Sequence, residues 1–157
     1  MFKKKSILGV GFTNARKDEV LEYILQGLEK DIQKYFIVTP NPEILMLAGS
    51  SSDYKNIVNS AKIALPDGIG VMIAGKVMGK QLKQRIQGVD FVRSLCRAVE
   101  EKPITVGFLG AGPGIAEQTA ECLNRKYPGL KVTFAQEEVS KTRHGLPSSS
   151  VSIPKVD

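Results

Sequence analysis

The chain has few of the residues that build metal sites and disulfide scaffolds. Its 157 residues include two cysteines and one histidine, His144, which lies near the C-terminus. No spacing of cysteine, histidine or carboxylate side chains is typical of a metal site, and no Asp-x-Asp motif occurs. Because Cys96 and Cys122 both fall among apolar neighbours on predicted helices, we expect buried free thiols rather than a disulfide or a nucleophile.

Long apolar runs and a recognisable leader are also missing. The apolar stretch after Lys3-Lys4-Lys5 is too short for a signal peptide, and no segment reaches the roughly 20 apolar residues of a membrane-spanning helix. We therefore expect a cytoplasmic protein. Aromatic residues make up only 6% of the chain, which argues against a nucleic-acid module that stacks bases.

The composition instead suits one folded domain with a basic surface. Apolar residues make up 42% of the chain, enough for a hydrophobic core, and the net charge is +6. This charge favours anionic partners such as nucleotides, phospholipid headgroups or nucleic acid, although a solvated basic surface explains it equally well. The basic clusters are Lys3 to Lys5, then Lys76, Lys80, Lys83 and Arg85, then Lys141, Arg143 and Lys155.

Apolar strand-like runs alternate with helical periodicity along the chain. The predicted strands are Lys5–Phe12, Tyr35–Thr39, Ile63–Leu65, Pro103–Leu109 and Lys131–Phe134. The first predicted helix follows a cap at Asn14, and the second begins at Pro42 after a cap at Asn41 and continues as helix over Ser51–Ser60. Three more helices are predicted: one over Ile69–Met78, one that begins at Asp90, and one over Pro113–Arg125. This order predicts a single α/β, Rossmann-like domain whose mostly parallel sheet has helices on both faces. We assign residues 1–136 to that domain, and we expect the Ser/Pro-rich tail, residues 137–157, to be loosely ordered.

Three predicted strands end in turns of unusual composition. In parallel α/β sheets, ligands bind at the carboxyl ends of the strands, so we expect the three turns to meet at one cleft. The turns are Thr39-Pro40-Asn41, Pro66-Asp67-Gly68-Ile69-Gly70 and Gly110-Ala111-Gly112-Pro113-Gly114. The cleft would explain Asp67, the one charged residue in the run IALPDGIGVMIAG, because an unpaired buried charge costs several kcal/mol.

Asp67 and Arg85 each have a structural and a functional interpretation. Asp67 would either cap the helix after Gly68, or act as a general base toward a hydroxyl, with Gly68 and Gly70 leaving room for a substrate. Arg85 lies in the loop KQRIQGVD and would either bind a phosphate with its guanidinium fork or lie free on the surface. Thr39 and Asn41 are likewise either ligand contacts or turn and cap residues.

The glycine turn also has two interpretations. A strand, then GAGPG, then a helix is typical of a turn that cradles a phosphate with backbone N–H groups. The full dinucleotide fingerprint needs a glycine where Ile115 stands, so a tight turn without a ligand is an equal alternative.

Four motifs together resemble the WecG/TagA/CpsF glycosyltransferase family, and within it the TagA branch. They are TPNPEILMLA, LPDGIGV, RIQGVDFV and FLGAGPGIAEQTAECLNRKYPGLKV, and they occur in the family's order and spacing over roughly Ser6 to Val132. The resemblance implies an inverting hexosyltransferase of wall teichoic acid linkage-unit synthesis. Its donor would be UDP-N-acetylmannosamine, and its acceptor the 4-hydroxyl of undecaprenyl-diphosphate-linked N-acetylglucosamine.

The resemblance also implies roles for individual residues. Asp67 would be the catalytic base, and Arg85 would offset charge on a diphosphate. The implied substrate-binding positions are Thr39, Asn41, Gly68, Gly70, Gln87, Gly110, Gly112 and Gly114. No cofactor is implied, and the missing Asp-x-Asp motif predicts transfer without a metal ion.

The lipid-linked acceptor implies work at the inner face of the cell membrane, where basic clusters would contact anionic headgroups. Oligomeric state stays open, including a homo-oligomer. Residues 137–157 do not follow the family's pattern, so we interpret them as a divergent or truncated tail. We therefore expect the chain to bind nucleotide weakly and to turn over slowly.

Two alternative functions remain. One is a nucleotide-dependent oxidoreductase that uses GAGPG, with Glu137 as a ribose contact, and the other is a non-catalytic basic binding module.

Overall fold

The computed structural model describes residues 2–29 and 34–136, in which helices and short strands alternate. The strands are β1 (Lys4–Ile7), β2 (Val10–Thr13), β3 (Ile37–Val38), β4 (Ile63–Ala64), β5 (Thr105–Leu109) and β6 (Lys131–Gln136). The helices are α1 (Lys17–Glu29), α2 (Pro42–Ser50), α3 (Ser52–Ser60), α4 (Ile69–Val77), α5 (Gly88–Val99) and α6 (Ile115–Lys126). The expectations for residues 137–157, including a ribose contact at Glu137, lie outside these ranges.

Parallel pairing dominates among the strands. β3 pairs with β4 in parallel, with Ile37 opposite Ile63, and β5 pairs in parallel with β6. β1 and β2 form an antiparallel hairpin. Within the described ranges, each strand is hydrogen-bonded to one partner only. The predicted α/β class with parallel strands is confirmed.

The first predicted strand, Lys5–Phe12, is wrong as a single strand because the chain reverses at Leu8 and Gly9. Both residues have positive φ, 49° and 83°, as in the type I′ turns that are common in two-residue hairpins. Asn59 of α3 holds the hairpin, since its Nδ2 donates to the Gly9 carbonyl and its Oδ1 accepts from the Gly11 amide, each at 2.9 Å. The apolar pattern concealed the reversal because buried side chains lie on both sides of it.

Three hydrophobic clusters join the helices to the strands. The first packs the β1–β2 hairpin against α2, α3 and α4, and the second joins α1, β4 and the start of α5. The third packs the end of α5 against β5, β6 and α6. Leu95 of α5 contacts both the second and the third cluster, so this helix connects these two clusters.

Part of the β5–β6 pair lies open to solvent. Along β5, half-buried Val106 and Phe108 alternate with exposed residues, and Leu109 is 72% exposed. The half-buried side chains pack on the third cluster. The strand predicted over Pro103–Leu109 is therefore observed from Thr105 onward, with every second residue exposed.

The two cysteines differ in exposure. Cys96 lies on the buried side of α5 and is 2% exposed, whereas Cys122 of α6 is exposed. The prediction of a buried thiol is thus confirmed for Cys96 and wrong for Cys122. The buried stripe of α6 runs through Ala116, Ala120 and Leu123, which turns Cys122 outward.

We predict that a thiol reagent labels one cysteine of the native chain rapidly and the second only after unfolding. Burial raises the pKa of the Cys96 thiol, so less of its reactive thiolate exists at pH 8, and packing also blocks the reagent. Labelling with a chromogenic disulfide, with and without guanidinium, measures both rates. A Cys122→Ser variant that still labels rapidly in the native state would contradict the assignment.

Candidate functional site

Two of the three predicted turns leave the core side by side. The Leu65 amide donates to the Val38 carbonyl at 2.8 Å, and the Asp67 amide donates to the Pro40 carbonyl at 3.1 Å. Parallel pairing therefore continues beyond the ends of β3 and β4. It carries Thr39 and Asp67 to the same edge, as parallel strands require.

A third segment, residues 80–87, joins this edge and leads into α5. The Ile86 amide donates to the Pro66 carbonyl at 2.9 Å. The Gly88 amide, in the first residue of α5, donates to Oδ2 of Asp67 at 3.0 Å. This hydrogen bond satisfies an amide that the helix itself leaves without a partner, so α5 begins two residues before the predicted start at Asp90.

The Asp67 carboxylate thus serves α5 and not α4. The N-cap residue of α4 is Gly68, with φ 90° and no side-chain hydrogen bond, so the alternative in which Asp67 caps that helix is wrong. Asp67 is half-buried, and its Oδ1 has no hydrogen-bond partner among the described residues. One carboxylate oxygen is therefore fixed, and the other is available to accept a proton.

Thr39 packs against the same glycine. A Cβ atom added to Gly88 would lie 3.1 Å from both Oγ1 and Cγ2 of Thr39. Thr39, Asp67 and Gly88 therefore form one group, which we call the Asp67 cluster. Sequence reasoning missed Gly88, because no local pattern shows that a helix start meets a carboxylate 21 residues earlier.

Asn41 caps α2 as predicted. Its Oδ1 accepts from the Ile44 amide at 2.9 Å, and Pro42 takes the first helical position. The Nδ2 group of Asn41 has no partner within the described ranges. It can therefore donate to a ligand at the helix start.

Gly68 and Gly70 serve helix packing. A Cβ at Gly70 would lie 2.8 Å from Cγ of Pro42, and one at Gly68 would lie 3.1 Å from Cδ of the same ring. Pro42 thus lies where a side chain on either glycine would be, and a substrate contact of their backbone stays a prediction. The contact brings the N-termini of α2 and α4 together beside Asp67, where α5 also begins. The N–H groups of helix starts carry partial positive charge, which favours an anion at this edge.

Arg85 and Gln87 flank the residue that fastens the third segment to the edge. Both are exposed, and Arg85 has no hydrogen bond or ion pair within the described part of the chain. Ile86, between them, is buried. The guanidinium is therefore free to approach a ligand near the Asp67 cluster.

Segment 80–87 is also held from the side of α1. Oδ1 of Asn14 accepts from the Lys83 amide at 3.0 Å, and Oε1 of Gln84 accepts from the Lys17 amide at 2.9 Å. Asn14 thus fixes this segment, and its predicted role as a cap of α1 is not seen. Sequence reasoning did not single out Gln84, whose contact spans 67 positions along the chain.

The glycine turn is open, and it follows a strand pair that is not hydrogen-bonded to β3 or β4 within the described residues. Gly110, Ala111 and Gly114 have positive φ, 108°, 65° and 73°, and a Cβ added to Gly110 or Gly112 would contact nothing within 4 Å. Gly114 starts α6 with no side-chain cap, and the helix begins at Ile115 rather than at Pro113. No hydrogen bond among the described residues joins this turn to Thr39, Asn41 or Asp67.

The described residues contain no group of three or more histidine, cysteine or carboxylate side chains that could hold a metal ion. None of their helices has both the length and the apolar character needed to cross a bilayer. The geometry combines a half-buried carboxylate with helix starts and with Arg85, which has no ion pair in the described part of the chain. Such a set can take a proton from a hydroxyl while it holds an anionic group nearby.

The sequence of the chain is similar to that of known proteins. Residues 5–144 match the sequence profile of a family described as "Glycosyl transferase WecG/TagA/CpsF family". A protein of Bacillus spizizenii named N-acetylglucosaminyldiphosphoundecaprenol N-acetyl-beta-D-mannosaminyltransferase is 40% identical over 97 residues, 62% of this chain and 38% of that protein.

Proteins of the same name show similar matches over a longer range. The one from Staphylococcus aureus strain NCTC 8325 / PS 47 is 30% identical over 128 residues, 81% of this chain and 50% of its own. The one from Bacillus subtilis strain 168 is 25% identical over 128 residues, 82% of this chain and 50% of its own. The chain thus spans about half the length, or less, of these curated relatives.

We predict that Gly70→Ala destabilises the fold by about 1–3 kcal/mol, because the new methyl group would overlap the Pro42 ring and push α2 and α4 apart. Chemical denaturation measures the change. Gly49→Ala is the matched control, since Gly49 lies in α2 with nothing within 4 Å of an added Cβ. There alanine should be neutral or stabilising by up to about 1 kcal/mol. Equal effects of the two substitutions would contradict the close approach of the helices.

Proposed function

Because the chain belongs to the WecG/TagA/CpsF glycosyltransferase family, we propose that it is a hexosyltransferase. The names of its relatives give a transferred N-acetylmannosamine and an acceptor N-acetylglucosamine on diphosphoundecaprenol. We propose the same sugar and acceptor for this chain, with UDP-N-acetylmannosamine as donor and the acceptor's 4-hydroxyl as the attacking group. The product would be the disaccharide of the wall teichoic acid linkage unit.

The observation that carries the proposal is the geometry of Asp67. The Gly88 amide holds Oδ2, and Oδ1 has no partner among the described residues. In the proposed reaction, Oδ1 takes the proton of the acceptor hydroxyl as that oxygen attacks the anomeric carbon of the donor sugar. The bond from that carbon to the diphosphate oxygen breaks on the opposite face. UDP leaves with the electron pair, and the configuration at the carbon inverts.

The leaving diphosphate needs positive charge, and the edge supplies it. The helices α2, α4 and α5 all begin at this edge. The start of α4 has no side-chain cap, whereas the Gly88 amide of α5 is already bonded to Asp67, which leaves the other N–H groups of these helix starts for a ligand. We propose that these groups and the guanidinium of Arg85 stabilise the departing UDP without a metal ion. No cofactor takes part.

We assign the remaining contacts of the donor by chemistry. Three hydrogen-bonding groups lie at the edge of the Asp67 cluster: the hydroxyl of Thr39, Nδ2 of Asn41 and the side-chain amide of Gln87. Gly110, Gly112 and Gly114 would accept the nucleotide against the open backbone of their turn. Gly68 and Gly70 act indirectly, by letting the start of α4 approach Pro42.

The lipid of the acceptor requires contact with a membrane. We propose that the protein works as a peripheral protein at the inner membrane face, with an anionic surface as its partner. Lys76 is exposed and suits this role, whereas Lys83 is paired with Glu19 at 3.2 Å. Each basic residue near an anionic surface contributes about 1 kcal/mol of attraction.

We predict that Asp67→Asn lowers turnover by about 100-fold or more, since general base catalysis contributes roughly 10²–10⁴. Thermal stability should change little, because the oxygen of asparagine can still accept from the Gly88 amide. Transfer of labelled N-acetylmannosamine to lipid-linked N-acetylglucosamine, under single-turnover conditions, measures the rate.

Asp53→Asn is the control for this substitution, because Asp53 is an exposed carboxylate in the first turn of α3. It should transfer at the wild-type rate. An Asp67→Asn chain that keeps its turnover, or one that loses activity only in proportion to lost folded protein, would reject Asp67 as the base.

We predict that UDP raises the melting temperature of the chain and that NAD at the same concentration does not. A ligand at 100 times its Kd stabilises a folded protein by about 2.7 kcal/mol, which corresponds to a shift of several degrees at this size. Differential scanning fluorimetry measures both. Stabilisation by NAD alone would favour the oxidoreductase alternative.

A further inference from the structure

Exposed aliphatic side chains follow one side of α4. Ile69, Ile73 and Val77 are 62%, 56% and 82% exposed, and their spacing of four residues places them on the same side of the helix. We call these three residues the α4 stripe. It is about 12 Å long at 1.5 Å per residue. The opposite side of the helix, with Val71 and Gly75, is buried.

A lysine lies beside the α4 stripe. Lys76 is exposed and lies three residues after Ile73 and seven after Ile69, so it belongs to the same side of α4. It makes no ion pair within the described part of the chain. Exposed aliphatic side chains beside a lysine suit contact with an anionic bilayer, because the apolar groups can enter the interface while the cation meets the headgroups.

The stripe begins at the candidate site. Ile69 is two residues after Asp67, and the start of α4 packs on Pro42 at the edge that carries the carboxylate. The other two helices that begin there also carry an exposed aliphatic side chain in their first two turns. These are Met46 in α2, 73% exposed, and Val89 in α5, 67% exposed.

The proposed acceptor requires such a surface near the base, so this inference rests on the proposed function. Its polyprenyl chain stays in the bilayer, and only a diphosphate separates its sugar from that chain. The protein surface around Asp67 must therefore come close to the headgroups. We propose that the α4 stripe is the surface that enters the interface of an anionic membrane, with Lys76 at the headgroups.

Vesicle binding tests the proposal on the 157-residue chain without substrates. The probe is large vesicles of phosphatidylglycerol and phosphatidylcholine in equal amounts, sedimented at low salt. Val77→Glu and Ile73→Glu should each lower the partition coefficient by about tenfold or more, since a carboxylate opposes both apolar contact and anionic lipid. Ile57→Glu is the matched control, because Ile57 is 60% exposed on α3, and it should bind as the wild type does.

Several results would overturn the proposal. The wild-type chain could fail to sediment with the vesicles, or all three variants could lose vesicle binding equally. The stripe variants could also bind the vesicles as the wild type does. Val77 is the last residue of α4, so its variant remains informative if Ile73→Glu does not fold. Changed oligomeric state in folded stripe variants, seen by size-exclusion chromatography, would instead show that protein covers the stripe.

A soluble acceptor separates this proposal from the proposed function. Transfer to N-acetylglucosamine diphosphate on a short, water-soluble alkyl chain should be the same for the wild type and Val77→Glu. If the wild type transfers to it while stripe variants keep their vesicle binding, the membrane surface is wrong and the function stands. If no transfer occurs while the stripe variants lose vesicle binding, the function is wrong and the membrane surface stands as measured.

Discussion

The candidate site depends on one hydrogen bond, from the Gly88 amide to Oδ2 of Asp67. It joins the turn after β4 to the first residue of α5, and it gives a helix start the acceptor that the helix itself lacks. The same contact sets the orientation of the carboxylate, because one oxygen is engaged and rotation of the side chain is restricted. A charged acceptor roughly doubles the strength of such a bond. The acid that we propose as base is therefore also a structural link between two elements.

Close packing around glycine places the positive ends of helices near that acid. Gly70 and Gly68 admit Pro42, and Gly88 admits Thr39, so side chains from the turn after β3 fill the space left by missing Cβ atoms. Helix starts brought this near to each other repel through their partial charges, and the Asp67 carboxylate together with a bound anion relieves the repulsion. The close approach of the helices and the diphosphate binding that we propose thus have the same origin.

The sequence predicted local features better than contacts between distant segments. The sequence predicted the Asn41 cap, Pro42 at the first helical position and the parallel strands, because each depends on neighbouring residues or on a repeated pattern. The hairpin at Leu8 and Gly9 was missed, since apolar side chains on both sides of it imitate one strand. The pairing of Asp67 with Gly88 and the role of Gly70 follow from how elements pack, which no local pattern encodes. The glycine turn was predicted as a turn. Its position relative to Asp67 depends on how β5 lies relative to β4, and these two strands are not hydrogen-bonded to each other within the described residues.

Helix α5 has a consequence for how disturbances spread through the protein. Its first residue holds Asp67, and its last turns, with Cys96 and Val99, are buried in the cluster that also supports β5. A straight helix of 12 residues is a stiff rod about 18 Å long. Any substitution that shifts the far end of this rod rotates or displaces the near end as well. We therefore expect the orientation of the Asp67 carboxylate to depend partly on core side chains at the opposite end of α5.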